Sequence, residues 1–195
     1  MNFLARIFGK HNKSESNQSP TPYDVSEKPF HPEGKVSILS SVNDQPTTIE
    51  LEGRDARQLM IDLQQVARLD ERLKTLMRAQ QFHEAAECGT AVLEIDKRIG
   101  DEARIAADYG NLGNVLMALD RFDEAEKIIR EGLRLDVAAG RKLSIGIHRY
   151  NLGRIYSKRN NRQGAIEEVK KSLDLLRGTA HEPTVRKLLS YLQNE

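Results

Sequence analysis

Tryptophan is absent from this chain, cysteine occurs once in 195 residues, and Phe, Trp and Tyr together make up only 5%. So few large rings suit an elongated array better than a deep globular core. A single thiol excludes an internal disulfide framework, and Cys88, at a mid-helix position, is expected to be a small buried side chain. No stretch reaches the ~18 to 20 apolar residues that cross a bilayer, so a reducing cytoplasm is the expected location. Gly-rich phosphate loops and His-Glu metal motifs are missing too. His11, His31, His83, His148 and His181 stand in unrelated contexts, and no serine has a partnered histidine at a recognisable spacing. His83 and Glu87, four apart on one helix, read as a surface pair. These absences argue against an enzyme, and neither a metal nor another cofactor is expected.

What the chain has is repetition. Three copies of a 40-residue unit overlay without a gap: Gln81-Phe82 on Arg121-Phe122 and Asn161-Arg162, and Ala85 on Ala125 and Ala165. Asn111-Leu112-Gly113 falls on Asn151-Leu152-Gly153, and Gly100 on Gly140. In the middle copy Ile105, Tyr109, Leu112 and Leu116 recur at helical spacing, as do Ile129 and Leu133. Between those runs, Asp120 to Asp123 offers oxygens to cap the second helix. Gly113 and Ala125 are small where the two backbones of a helical hairpin must approach. Gly100 and Gly140 close the second helices, where positive φ is cheap for glycine. Each unit is expected to be a helix, a short turn and a helix.

On these residues the units resemble tetratricopeptide repeats, whose signature is a large residue, Leu-Gly, another large residue, and a small one opening the second helix. Tyr109, Leu112-Gly113, Leu116, Phe122, Ala125 and Leu133 match it, as do Leu152-Gly153, Tyr156, Ala165 and Leu173. The first copy keeps Leu76, Phe82, Ala85 and Leu93 but has Arg72-Leu73 in place of Leu-Gly. The 40-residue period, with Asn before Leu-Gly, is similar to the longer repeats of kinesin light chains and the Gly/Leu/Asn-rich adaptors. The resemblance implies an all-α, right-handed α-solenoid of about three helix-turn-helix repeats, over residues 66–100, 104–140 and 144–178. A capping helix over 183–193, with Val185, Leu188, Leu189 and Leu192, would cover the last repeat within a helical domain of 54–195.

Ahead of the repeats, residues 11–34 are rich in Ser, Asn, Pro and charge and read as a disordered linker. Val36, Ile38 and Val42, then Asn43-Asp44-Gln45-Pro46, then Ile49 and Leu51 read as a short β-hairpin over 35–53. In residues 1–10 a helix would set Phe3, Leu4, Ile7 and Phe8 on one side, flanked by Arg6 and Lys10. That segment is too short for a signal peptide. Its four apolar side chains offer ~1.5 to 3 kcal/mol each if fully buried, and interfacial burial is partial. It would therefore hold a membrane surface weakly, dock on a partner or its own groove, or remain a plain terminus.

A net charge of +1 conceals a division. Residues 50–140 carry 13 Lys and Arg against 19 Asp and Glu, whereas residues 141–187 carry 12 against 4. Without stacking aromatics or a recognised motif, this basic stretch points away from nucleic acid and toward an acidic peptide or an anionic surface. The family resemblance puts the first helix of each repeat on a concave face. The implied lining is Asp70, Lys74 and Met77, then Gly110, Asn111, Asn114 and Met117, then Tyr150, Asn151, Arg154 and Lys158. The Asn amides could pair with a peptide backbone, although Asn111 and Asn151 could equally bond neighbouring repeats. Arg154 and Lys158 would take a carboxylate. The expected function is a non-enzymatic adaptor binding a peptide segment of another protein, peripheral at the inner membrane face if residues 1–10 bind there. The alternatives are a self-assembling homo-oligomeric scaffold and a chaperone for a secreted substrate.

Overall fold

The computed structural model describes residues 35–42 and 45–194. The amphipathic segment 1–10, with Phe3, Leu4, Ile7 and Phe8, lies outside the described residues, as do the linker 11–34 and the Asn43-Asp44 step. The chain divides into two units near residue 61. In the first, β1 (Lys35–Val42) and β2 (Gln45–Glu52) pair antiparallel, with Ile38 opposite Ile49 and Val36 opposite Leu51. Pro46 is the second residue of β2, and a two-stranded sheet consists of edges, where a missing N–H is tolerated. Helix α1 (Gly53–Arg78) begins here and runs into the second unit.

The second unit is an all-α array. The helices α2 (Phe82–Ile99), α3 (Glu102–Ala118), α4 (Phe122–Ala138), α5 (Lys142–Lys158), α6 (Arg162–Leu176) and α7 (Glu182–Asn194) follow in order. No proline occurs between residues 47 and 182, so no ring interrupts a ladder in α1 to α6. Pro183 falls in the first turn of α7, where its missing N–H has no intrahelical acceptor to lose. The apolar stripes meet in successive layers: Leu73, Leu76, Ala85, Cys88 and Val115, then Leu112, Leu116, Ala125, Ile129, Leu152 and Ile155. Val169, Leu173 and Leu176 close against Val185 and Leu192 of α7. Cys88 is buried, and its Sγ donates to the Leu69 carbonyl at 3.3 Å.

Two kinds of residue set the hairpin geometry. A Cβ on Gly113 would stand 2.4 Å from Ile129, and one on Gly153 would stand 2.5 Å from Val169. Neither contact is sterically allowed, so the backbones of α3 and α4, and of α5 and α6, come close only because these positions are glycine. The turns between paired helices use Gln80, Asp120 and Asn160, forty residues apart, at φ of 58°, 56° and 58°. Around Asp120, the Arg121 amide donates to the Leu116 carbonyl at 3.0 Å and the Asp120 amide to that of Met117 at 3.2 Å. That pair of bonds is a Schellman motif, with the left-handed residue satisfying the orphan carbonyls of α3.

The motif corrects one expectation. Asp120 closes α3 rather than opening α4, whose first position is capped by Arg121 with no side-chain bond. Side-chain caps occur instead at Asp101, which accepts from the Ala103 and Arg104 amides, and at Asn161, which accepts from Gly164. Asp123 and Glu124 act on α4 through their charge in its first turn. Gly100 and Gly140 do take positive φ, 81° and 67°, after the second helices.

Candidate functional site: a groove with two unlike ends

The first helices of the repeats line two adjoining cavities that share Met77 of α1 and Asn114 of α3. One, of about 510 Å³, lies between α1, α2 and α3; the other, of about 1150 Å³, extends from α3 past α5 to α7. Helical periodicity accounts for this placement. Asn114, Arg154 and Lys158 fall on the stripe opposite the one that carries the core leucines.

Most residues expected at a concave face line one of the two cavities. Lys74 and Asn111 line the smaller cavity, Asn114 lines both, and Met117, Tyr150, Arg154 and Lys158 line the larger. Asn151 is not among them. It is 3% exposed, and its Oδ1 accepts from Arg154 Nη1 at 3.3 Å, so it holds an arginine from behind rather than meeting a ligand. Gly110 is buried as well, with the His148 ring 3.2 Å from where its Cβ would be. Arg154 Nη1 also donates to Asn114 Oδ1 at 2.8 Å, and its guanidinium lies 5.8 Å from the Tyr150 ring centre. The side chain is thus fixed before any partner arrives, which lowers the ordering cost of binding. Lys158 is exposed at the end of α5 and has no ion-pair partner among the described residues.

The basic stretch is less available than its composition suggests. Arg141 pairs with Asp136, Arg149 with Glu168, Arg177 with Asp174 and Arg186 with Glu182. Lys171 bridges Glu167 and Glu168, while Arg159, just past the end of α5, reaches back to Glu126 at 2.5 Å and to Asp123 of α4. Burial works against the Glu126 charge, yet hydrogen bonds from Tyr156, Arg130 and Arg159 hold its carboxyl below the usual range. Most of these pairs close within the third copy or within α7, and Arg159 is the cation among them that ties the third copy to the second.

Sequence reasoning did not anticipate several lining residues. Phe82 and Phe122, at the starts of α2 and α4, and Leu188 and Tyr191 of α7 enter the larger cavity. The forty-residue coincidence of the two phenylalanines was the available signal. At the other end, Asp96, Arg104 and Asp108 line the smaller cavity. Arg104 Nε donates to Asp96 Oδ1 at 2.9 Å. Burial raises the Asp70 carboxyl, with Arg104 opposing and Asp96 adding. Burial, then the adjacent Asp96 carboxyl, pushes Asp108 up to about 9. Among the described residues no group of three or more His, Cys, Asp or Glu could hold a metal ion, and no helix is long and apolar enough to cross a membrane.

Paired helices at a forty-residue period, close-packed through glycine and lining a groove with their first members, define an α-solenoid repeat protein. The family model of the tetratricopeptide repeat matches residues 104–178, which take in nearly all of α3 and the whole of α4 to α6. Over those residues the chain carries tetratricopeptide repeats. Such repeats generally mediate protein–protein interaction and are typically non-enzymatic. No curated protein matches the chain.

Proposed function

We propose that the groove receives a peptide segment of another protein, with an acidic or carboxylate-bearing portion at the α5 end. The observation that carries this reading is the pair Arg154 and Lys158. One is a guanidinium pinned by two asparagines, the other an exposed ammonium one turn along, and both line the larger cavity. A carboxylate there would meet a preformed fork and a mobile point charge, while Met77, Met117, Phe82 and Phe122 offer apolar contact beside it. The groove is wide and open, which suits a chain segment better than a small enclosed ligand.

Peptides selected from a random display library against the full chain should be enriched in Asp and Glu. Lys158→Glu changes an exposed side chain and should leave the helical circular dichroism unchanged. It should weaken the selected acidic peptides about tenfold, with Arg154→Gln adding to the loss. Enrichment and affinity untouched by both substitutions would place the binding surface elsewhere.

A further inference from the structure

The smaller end of the groove is lined by Asp70 and Lys74 of α1, Asp96 of α2, and Arg104, Asp108 and Asn111 of α3. Two of its three cations are already engaged. Arg104 Nε holds Asp96 Oδ1 at 2.9 Å, and Lys74 Nζ holds Glu71, which is not part of the lining, at 2.7 Å. Asp96 and Asp108 are 0% and 8% exposed, and the Oδ2 atom of each has no donor from any other side chain. The two carboxyls meet through a hydrogen bond that lasts only while Asp108 keeps its proton.

The next repeat fills the equivalent space with a ring, although its Asp136 Oδ2 and His148 Nδ1 are likewise buried without a hydrogen-bond partner. Forty residues on, Asp136 stands where Asp96 does and His148 stands where Asp108 does. There His148 Nε2 lies 3.1 Å from Asp136 Oδ2, and Arg141 Nε donates to Asp136 Oδ1 at 2.5 Å. The imidazole fits because position 132 is glycine; a Cβ there would stand 2.6 Å from the ring. At the second junction, therefore, an arginine and a nitrogen-bearing ring surround one carboxylate. At the first, one arginine faces two buried carboxyls with Asp70 beside them, and the remaining space is an open cavity of about 510 Å³.

We infer that this cavity binds the guanidinium or ammonium group of an arginine or lysine side chain on the partner peptide, with Asp108 and Asp70 as its carboxylate acceptors. The inference rests on reading the groove as a peptide site and gives that peptide a polarity: a basic residue toward α1, an acidic one toward α5. Arg78, also in the lining, is exposed and stands at the rim. Charged groups around Asp108 are Asp70, Lys74 and Arg78 from α1, Asp96 from α2 and Arg104 from its own helix, and none from α4 or α5 lines the cavity. Asp108 enters binding as a carboxylic acid, since burial and the Asp96 carboxyl push it up to about 9. The arriving cation stabilises the anion, so the Asp108 carboxyl gives its proton to solvent as the complex forms. Binding should tighten with rising pH, approaching tenfold per pH unit below that value.

The test is titration of the full chain with acetyl-Gly-Arg-Gly-amide, followed by amide NMR and by calorimetry in two buffers of different ionisation enthalpy. Saturable shifts at Asp70, Asp108 and Asn111, proton release on binding, and at least tenfold weaker binding of the citrulline analogue are expected. Asp108→Asn retains a neutral group of the same shape and should fold while losing both the binding and its pH dependence. Equal binding of the citrulline peptide, no saturable shift at millimolar probe, or full binding by Asp108→Asn would overturn the inference. If that occurs while Lys158→Glu still weakens the selected acidic peptides about tenfold, the groove reading stands and the cation site alone falls.

Discussion

Asp108 is held in the folded chain as a carboxylic acid, because burial and the neighbouring Asp96 carboxyl both oppose its charge. Unfolded, the same side chain ionises near pH 3.8; folded, it does so near about 9. Its folded pKa is raised, so the native state keeps a proton that the unfolded chain releases over that whole interval. Stability from this group is complete below the lower value and declines as pH rises toward the upper one. Asp108→Asn cannot ionise and should escape the decline. Urea midpoints of the two proteins should converge near about pH 4 and separate at neutral pH, with the variant ahead by more than about 1 kcal/mol. A constant difference across pH would show that Asp108 is ionised in the native state. Nothing in the local sequence marks this residue. Its partner Asp96 lies twelve positions earlier on another helix, and a residue-by-residue reading treats both as ordinary solvated charges. Gln80, Asp120 and Asn160 were equally hidden, since their left-handed backbone follows from the turn geometry and only Asp and Asn have a sequence preference for it.

Among the elements, α1 and α2 meet through a different pair of side chains from the later hairpins. Positions 113 and 129 pair Gly with Ile, and 153 and 169 pair Gly with Val; in the first copy the equivalent positions are Leu73 and Gly89. The large side chain has changed helix, and a Cβ on Gly89 would stand 3.9 Å from Leu73 Cδ2. Copy one looks degraded when each position is matched to a signature, yet the summed bulk of the pair is maintained. Leu73→Gly alone should cost about 2 to 5 kcal/mol through cavity and backbone effects, and Gly89→Ile alone about 1 to 3 through overpacking. Combined, they should restore at least about 1 kcal/mol relative to the sum, read from urea denaturation. Strict additivity would mean that the two positions do not share space. Helix order and repeat register were legible because Leu-Gly, Ala and the apolar spacing recur at fixed offsets. The caps were not, because Asp120 is chemically suited to opening α4 and geometrically needed to close α3.

Across the helical array as a whole, charge is segregated by sequence, and packing pairs about half of the basic stretch with carboxylates. Tyr156 of α5 and Arg159 just beyond it meet Glu126 of α4, and Arg154 meets Asn114 of α3, so the third copy is fastened to the second by its own polar groups. What remains toward solvent is a groove with Lys158 and Arg154 at one end and buried carboxyls at the other. The cavity-lining residues Lys74, Asn114, Met117 and Tyr150 were legible from repeat phase, whereas the contribution of α7 through Leu188 and Tyr191 depends on where a capping helix lands. Hydrogen exchange of the full chain, with and without a library-selected acidic peptide, tests the groove most directly. Slowed exchange should concentrate in α3, α5 and α7, at peptide bonds near Asn114, Arg154 and Tyr191. Protection confined to the outer helices α2, α4 and α6 would contradict a peptide seated in the groove.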